Sequence, residues 1–297
     1  MSVRVVTDST CDLPRDVIEA LDLRVVPLYI HIGNTEYLDG VDMSREQFYR
    51  GLATFPSQPT TAAPGVETFE RLYEQLASEG AEGIVSIHIA ESLSNVLNVA
   101  RLAAQKMKDV PVRVIDSGQL TLGVGLEAMA AAEAAQAGAT VDEVVQVVEA
   151  MIPRTHTFAA LSTVEFLRRS GRLSQFQFGL ATVLKILPLL KMHQGVAEME
   201  KVRTEDRATK RLLTLLREQR PIERLAMVHT NAPLKARALH ERAKPLLGEI
   251  SEPIYGSVTP VIGAHIGPGA VGFVCVTRQG SKDHSRQPTR AVRRVSE

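Results

Sequence analysis

The stretch "GIVSIHIAESLSNVLNVARLAAQKMKDVPVRVID", residues 83–116, begins as an apolar, β-branched run and ends as another. Between "GIVSIHI" (83–89) and "VPVRVID" (110–116), apolar residues recur at helical spacing over 94–107. Strand, helix and strand of these lengths form a βαβ unit, and such a unit makes its two strands parallel. The rhythm continues outward. Upstream, "VRVVTD" (3–8) reads as a buried strand, "LPRDVIEALD" (13–22) as a short helix and "LRVVPLYIHI" (23–32) as one strand. "SREQFYRGLA" (44–53) and "VETFERLYEQLASEG" (66–80) are helical, with Gly80 as the stop signal, and the Ala-rich "GLEAMAAAEAAQAG" (125–138) is a further helix.

After about residue 154 the texture changes. "THTFAAL" (155–161), "GVAEMEKVR" (195–203), "RLAMVHT" (224–230) and "VGFVCVTR" (271–278) read as strands. "TEDRATKRLLTLLREQ" (204–219) and "PLKARALHERAKPL" (233–246) read as amphipathic helices. We therefore expect an α/β chain of two domains. Residues 1–153 would form a three-layer α/β/α domain on a mainly parallel sheet. Residues 154–280 would form a second α/β domain on a mixed sheet, and 281–297 a polar, basic tail.

Composition bounds the function. Of 297 residues, 44% are hydrophobic and 23% charged, enough apolar material for a sizeable core. Lys+Arg and Asp+Glu both number 34, so the basic excess of a nucleic-acid binder is missing. Aromatic residues make up 4% with no Trp, which leaves little for base stacking. Two cysteines, Cys11 and Cys275, allow one disulfide but no Cys-x-x-Cys metal site. The chain starts directly in a strand pattern with no charged-then-apolar leader. Its most apolar long stretch, "FGLATVLKILPLLKM" (178–192), is short for a bilayer and carries Lys185 and Pro188. A cytoplasmic protein without stable membrane insertion is expected.

Polar residues gather after strand ends: Asp8, Ser9 and Thr10; Ser92 and Ser94; Asp116 and Ser117. In open parallel sheets ligands bind outside the carboxyl ends of the strands, so these tips are expected to share one site. Each also has a structural explanation. Ser94 suits a helix N-cap, Thr60 and Thr61 suit a turn before the Pro-Gly at 64–65, and Asp8 and Asp116 suit Asx turns. Near the C-terminus, "TPVIGAHIGPGAVG" (259–272) sets His265 among Gly263, Gly267, Gly269 and Gly272, which reads as a tight turn. An imidazole there can donate a hydrogen bond to an anion, whether neutral or charged. No P-loop, no Gly-x-Ser-x-Gly elbow and no His-Glu-x-x-His is present, so no nucleotide motif or metal site is expected.

Taken in order, "VTDSTCDLP" (6–14), "LDGVDMSREQFYRGL" (38–52), "VSIHIAESLSNVLNVARLAA" (85–104), "VIDSGQLTLGVGL" (114–126), "LRRSGRLS" (167–174), "KVRTEDRA" (201–208) and "PVIGAHIGPGAVG" (260–272) resemble the DegV family, which includes the fatty-acid-binding subunits of bacterial fatty acid kinase. The resemblance covers nearly the whole chain. It implies a long-chain fatty acid as ligand, no other cofactor, and a separate ATP-dependent kinase as partner. Its carboxylate-binding positions fall on Thr61, Ser94 and His265, with the backbone N–H of Asn95 as a further donor. Arg172 and Arg203 match family arginines near the partner-docking face. Three segments depart from the family's usual text: "TAAPG" (61–65), "SNV" (94–96) and Leu187-Pro188.

The resemblance implies a non-catalytic carrier that holds the acid in a buried tunnel; the apolar "FGLATVLKILPLL" (178–190) reads either as ordinary core or as part of the tunnel wall. Two alternatives stay open. One is a hydrolase with Ser94 as nucleophile, His265 as base and Asp8 or Asp116 as orienter. The other is a lipid-responsive regulatory protein without a kinase.

Overall fold

A computed structural model of the chain describes residues 2–175, 177–178, 187–248, 250 and 252–280. The tail expected at 281–297 and residues 179–186 of the apolar stretch lie outside these described residues.

The first half runs β1 (Val3–Asp8), α1 (Arg15–Ala20), β2 (Arg24–Val26), β3 (Tyr29–Ile32), β4 (Thr35–Leu38), α2 (Arg45–Gly51), β5 (Thr60–Ala62), α3 (Val66–Ser78), β6 (Gly83–His88), α4 (Val96–Ala104), β7 (Val112–Asp116), α5 (Leu122–Gln136) and α6 (Val141–Met151). Strands β2-β1-β6-β7 form one sheet in which every pair is parallel. All six residues of β6 are buried, as expected for a parallel strand covered on both faces. From β1 the connections run one way to β2 and the other way to β6 and β7. The crevice between β1 and β6 is therefore a topological switch point, where an open sheet offers its binding site.

Two readings of this half need correction. "LRVVPLYIHI" is two strands in different sheets: β2 joins the parallel sheet, while β3 pairs antiparallel with β4 and β5 in a small third sheet. Pro27, which has no N–H to donate, stands between them. The Ala-rich helix begins at Leu122, three residues earlier than expected, and a further helix, α6, follows it.

The second half runs β8 (Thr155–Ala160), α7 (Glu165–Arg169), a 3-10 turn (Arg172–Gln175), β9 (Gln177–Phe178), β10 (Leu187–His193), β11 (Val196–Val202), α8 (Glu205–Glu218), β12 (Ile222–His229), α9 (Pro233–Leu247), β13 (Ile254–Ser257), α10 (Pro260–Ile266) and β14 (Val271–Thr277). Its strands form a mixed sheet in the order β13-β12-β14-β8-β10-β11-β9. Side chains alternate across it with period two. Phe273 and Cys275 of β14 join Leu212, Leu216 and Leu239 of α8 and α9, while Val274 and Val276 point into the core shared with the first half.

Helix α5 lies between the two main sheets, touching β1 and β6 on one side and β8 and β14 on the other. That placement explains the composition of its 122–132 part, which is nearly all buried and, Glu127 apart, apolar, with small residues that let two sheets approach. Cys11 and Cys275 are both free and buried. Burial pushes the Cys11 thiol up to about 12, which suits packing rather than thiol chemistry.

Candidate binding site at the sheet switch point

The segment read as a tight turn around His265 is instead helix α10, and His265 sits in its last turn. Pro260 occupies the first turn, where its missing N–H costs nothing. Gly267 ends the helix at φ +73°, and a Cβ there would collide with the Phe166 ring. Gly263 lets α10 press against Tyr49, whose hydroxyl donates to Val258 O at 2.9 Å.

The start of α10 is moored by buried acids. Thr259 N donates to Asp12 Oδ1 at 2.8 Å, and its hydroxyl donates to Asp39 Oδ2. Thr121 Oγ1 donates to Asp12 Oδ2 at 2.5 Å, and Arg45 stands 3.3 Å from Asp12 Oδ1. Burial dominates here and raises Asp12 to about 7 despite Arg45 and Thr121, with Asp39 adding to the rise. Asp39 is raised as well, by burial first.

So moored, His265 meets Thr61, which β5 presents from the small sheet: Thr61 Oγ1 and His265 Nε2 are 2.9 Å apart. The other ring nitrogen, Nδ1, is buried and has no partner among the described residues. Burial, and then the charge of Arg172, lower the imidazole to about 4, so it is neutral at pH 7. Both residues line a cavity of about 240 Å³ at the switch point. Ser94 and Asn95 line it too, in front of α4. Ser94 is a weak cap, accepting from Val96 N at 3.4 Å, and Asn95, the N-cap residue, makes no side-chain capping bond. The remaining N–H groups of that first helical turn, with the dipole behind them, favour an anion.

Much of the rest of the lining is apolar, with Leu28, Ile89, Leu120, Leu190 and Ile262 among it. A smaller void of about 20 Å³ shares Leu120, Leu190, Ile262 and Ile266 and reaches Ala159 and Ala270 of the second half. Of the apolar stretch read as core or wall, Leu190 on β10 is a lining residue.

The other expected site residues divide between the cavity and places away from it. Arg203 follows β11, is exposed and does not line the cavity. Arg172 does line it, beside His265, so its side chain is not confined to an outer face. Of the strand-tip residues, Thr10 and Ser94 reach the cavity; Ser92 donates to Gly195 O, and Asp116 accepts from the backbone N–H groups of Gly118 and Glu91. The hydrolase constellation is not assembled. His265 bonds Thr61, while Asp8 belongs to a separate buried network in which His88 Nδ1 is 2.9 Å from Asp8 Oδ2 and His88 Nε2 is 2.7 Å from Ser86 Oγ. That Ser-His-Asp line is sealed from solvent, with the Tyr73 hydroxyl donating to Ser86 at 2.8 Å.

The model of the uncharacterised protein family DegV matches residues 2–278. The chain belongs to the DegV family. A DegV domain-containing protein of Streptomyces coelicolor is 36% identical over 281 residues, covering 93% of this chain and 99% of that one. Among solved structures, a DegV family protein from Thermus thermophilus described by its fatty acid binding is 30% identical with a TM-score of 0.83, over 93% and 99% of the two chains. DegV of Bacillus subtilis, described as a fatty acid binding protein, is 28% identical with a TM-score of 0.84 over the same shares. Similarity of this extent fixes the mixed α/β fold with its parallel and mixed sheets. Among the described residues no helix is long and apolar enough to cross a membrane, and no cluster of His, Cys, Asp and Glu suits a metal ion.

Proposed function

We propose that this DegV chain is a cytoplasmic, non-catalytic fatty-acid carrier. It would hold a long-chain acid with its carboxylate at Thr61, Ser94, His265 and the Asn95 N–H. The observation that carries this is the lining of one cavity: the bonded Thr61–His265 pair, Ser94 and the N-terminus of α4 share it with mostly apolar side chains. The fatty acids bound by the Thermus and Bacillus relatives support the same ligand class. Burying each methylene contributes about 0.8 kcal/mol, so a long acyl chain supplies on the order of 10 kcal/mol gross. Each hydrogen bond to a charged carboxylate contributes about 1.5–3 kcal/mol. The tail therefore sets affinity, and the head-group donors set which end faces out.

In this proposal the chain works as two units, 1–153 carrying the head-group site and 154–280 closing it with α10. A separate ATP-dependent kinase then phosphorylates the presented carboxylate for phospholipid synthesis, with exposed Arg203 suited to docking that partner. Native mass spectrometry of the purified protein, followed by extraction and identification of what is released, tests the carrier. A stoichiometric long-chain acid is expected, bound roughly ten- to a hundredfold more weakly after Ser94→Ala or His265→Ala. A protein that is bare and also refuses added palmitate and oleate would remove this function. The kinase step is tested separately: the protein with ATP alone should yield no acyl phosphate.

A further inference from the structure

Thr61 and His265 together bring one hydrogen-bond donor to the cavity and no charge. If the Thr61 hydroxyl donates to Nε2, Nδ1–H is left to face a ligand; if Nε2–H donates to Thr61, the hydroxyl is left and Nδ1 becomes an acceptor. Ser94 adds a second neutral donor. With the Asn95 N–H these donors are all neutral, and neutral donors alone leave the charge of an ionised carboxylate uncompensated among largely apolar walls, which is costly.

Arg172 supplies what is missing. It lines the same cavity, half-buried, at the point where the chain leaves α7 through Gly171, which turns at φ +71°. One guanidinium N–H donates to Ser170 O at 3.3 Å. Among the described residues no acidic side chain pairs with Arg172, whereas the neighbouring Arg168 and Arg169 are both held by Glu165. An arginine side chain carries five donors, enough to leave several for a carboxylate.

We propose that Arg172, rather than His265, carries the positive charge that balances the ligand's carboxylate, an inference that rests on the fatty-acid function proposed above. The neutral Thr61–His265 pair then orients the head group, and Arg172 selects its ionised form. The low basicity of His265 agrees with this division, since burial and the charge of Arg172 both disfavour an imidazolium.

The test compares palmitate with methyl palmitate, which keeps the chain and removes the charge, on the full-length wild type, Arg172→Gln and Arg172→Lys. Wild type should prefer the acid. Arg172→Gln should lose about tenfold of that preference, corresponding to a rise of about one unit in the carboxyl pKa of bound [1-13C]palmitate read by NMR. Arg172→Lys should retain most of both. Two outcomes overturn the role of Arg172: unchanged preference and titration in Arg172→Gln, or equal weakening of acid and ester, which marks a damaged pocket. A wild type that binds neither ligand defeats the fatty-acid function itself, and this proposal falls with it.

Discussion

Asp8 and Asp12 lie four residues apart in "DSTCD", both fully buried, yet their surroundings drive them in opposite directions. Asp8 accepts from His88 Nδ1, from the Thr10 N–H and hydroxyl, and from Ile89 N. Burial alone would raise it, but His88 and Thr10 outweigh burial and hold it below the ordinary carboxylate range. Asp12 also has donors, but it shares a single arginine with Asp39 and is pushed up to about 7. Burial raises both carboxylates, and the sign of the net shift depends on how far donors and nearby charges offset it. The consequence is spatial. The saturated Asp8 network ties the tips of β1 and β6 together inside the parallel sheet, whereas the Asp12 cluster ties α10, and so His265, onto the first half.

The contrast is sharpest if Asp8 is broken. Asp8→Ala leaves His88 and the Thr10 donors buried without an acceptor, and should destabilise the fold by about 3–5 kcal/mol in urea unfolding at pH 7. Because the folded state holds Asp8 below its unfolded value of 3.8, that stability is present above pH 3.8 and disappears as pH falls through the folded value. The gap between wild type and variant should therefore narrow in acid.

Asp12 should behave with the reverse sign. Its carboxyl is raised from 3.8 to about 7, so the folded state binds the proton more tightly. Stability falls as pH rises between about 4 and 7, by at most about 1.4 kcal/mol per unit. Asp12→Asn should flatten that slope at a cost of about 1 kcal/mol, while fatty-acid affinity drops as α10 loosens. A slope that survives the substitution would show that another group causes it.

Glu127 extends the comparison to an acid with almost no donors. It is buried on α5, neither carboxylate oxygen has a hydrogen-bond partner among the described residues, and the neighbouring Thr155 hydroxyl is committed to Met151 O at 3.0 Å. Burial raises it well above 4.5, and Asp116 adds to the rise. Glu127→Gln should change stability by under about 1 kcal/mol near pH 5 and become relatively more favourable as pH rises. Thermal unfolding at pH 5 and pH 8 measures this smallest effect; a large loss at both would mean that the carboxyl has an essential acceptor role.

Much of the architecture was legible in the chain, and particular elements show why. β6, α4 and β7 were readable because hydrophobic periodicity is a local signal: each residue's face follows from its neighbours along the chain. β3 was fused with β2 because the choice of sheet is made by distant partners, β5 for one and β1 for the other. The α10 helix was hidden because glycine and proline usually mark turns; here Gly263 serves a close approach to Tyr49 and Pro260 a helix start.

The site divides the same way. Sequence alone determined a parallel α/β half and led to the expectation of a ligand site at its strand tips, and family likeness named Thr61, Ser94, Asn95 and His265 for it. Only the tertiary structure decided that Thr61 and His265, 204 residues apart, share one hydrogen bond, and that Arg172 lines their cavity while Arg203 does not. The physical reason is that a side chain's type is local, while its neighbours, burial and charge state are set by whichever remote segments pack against it.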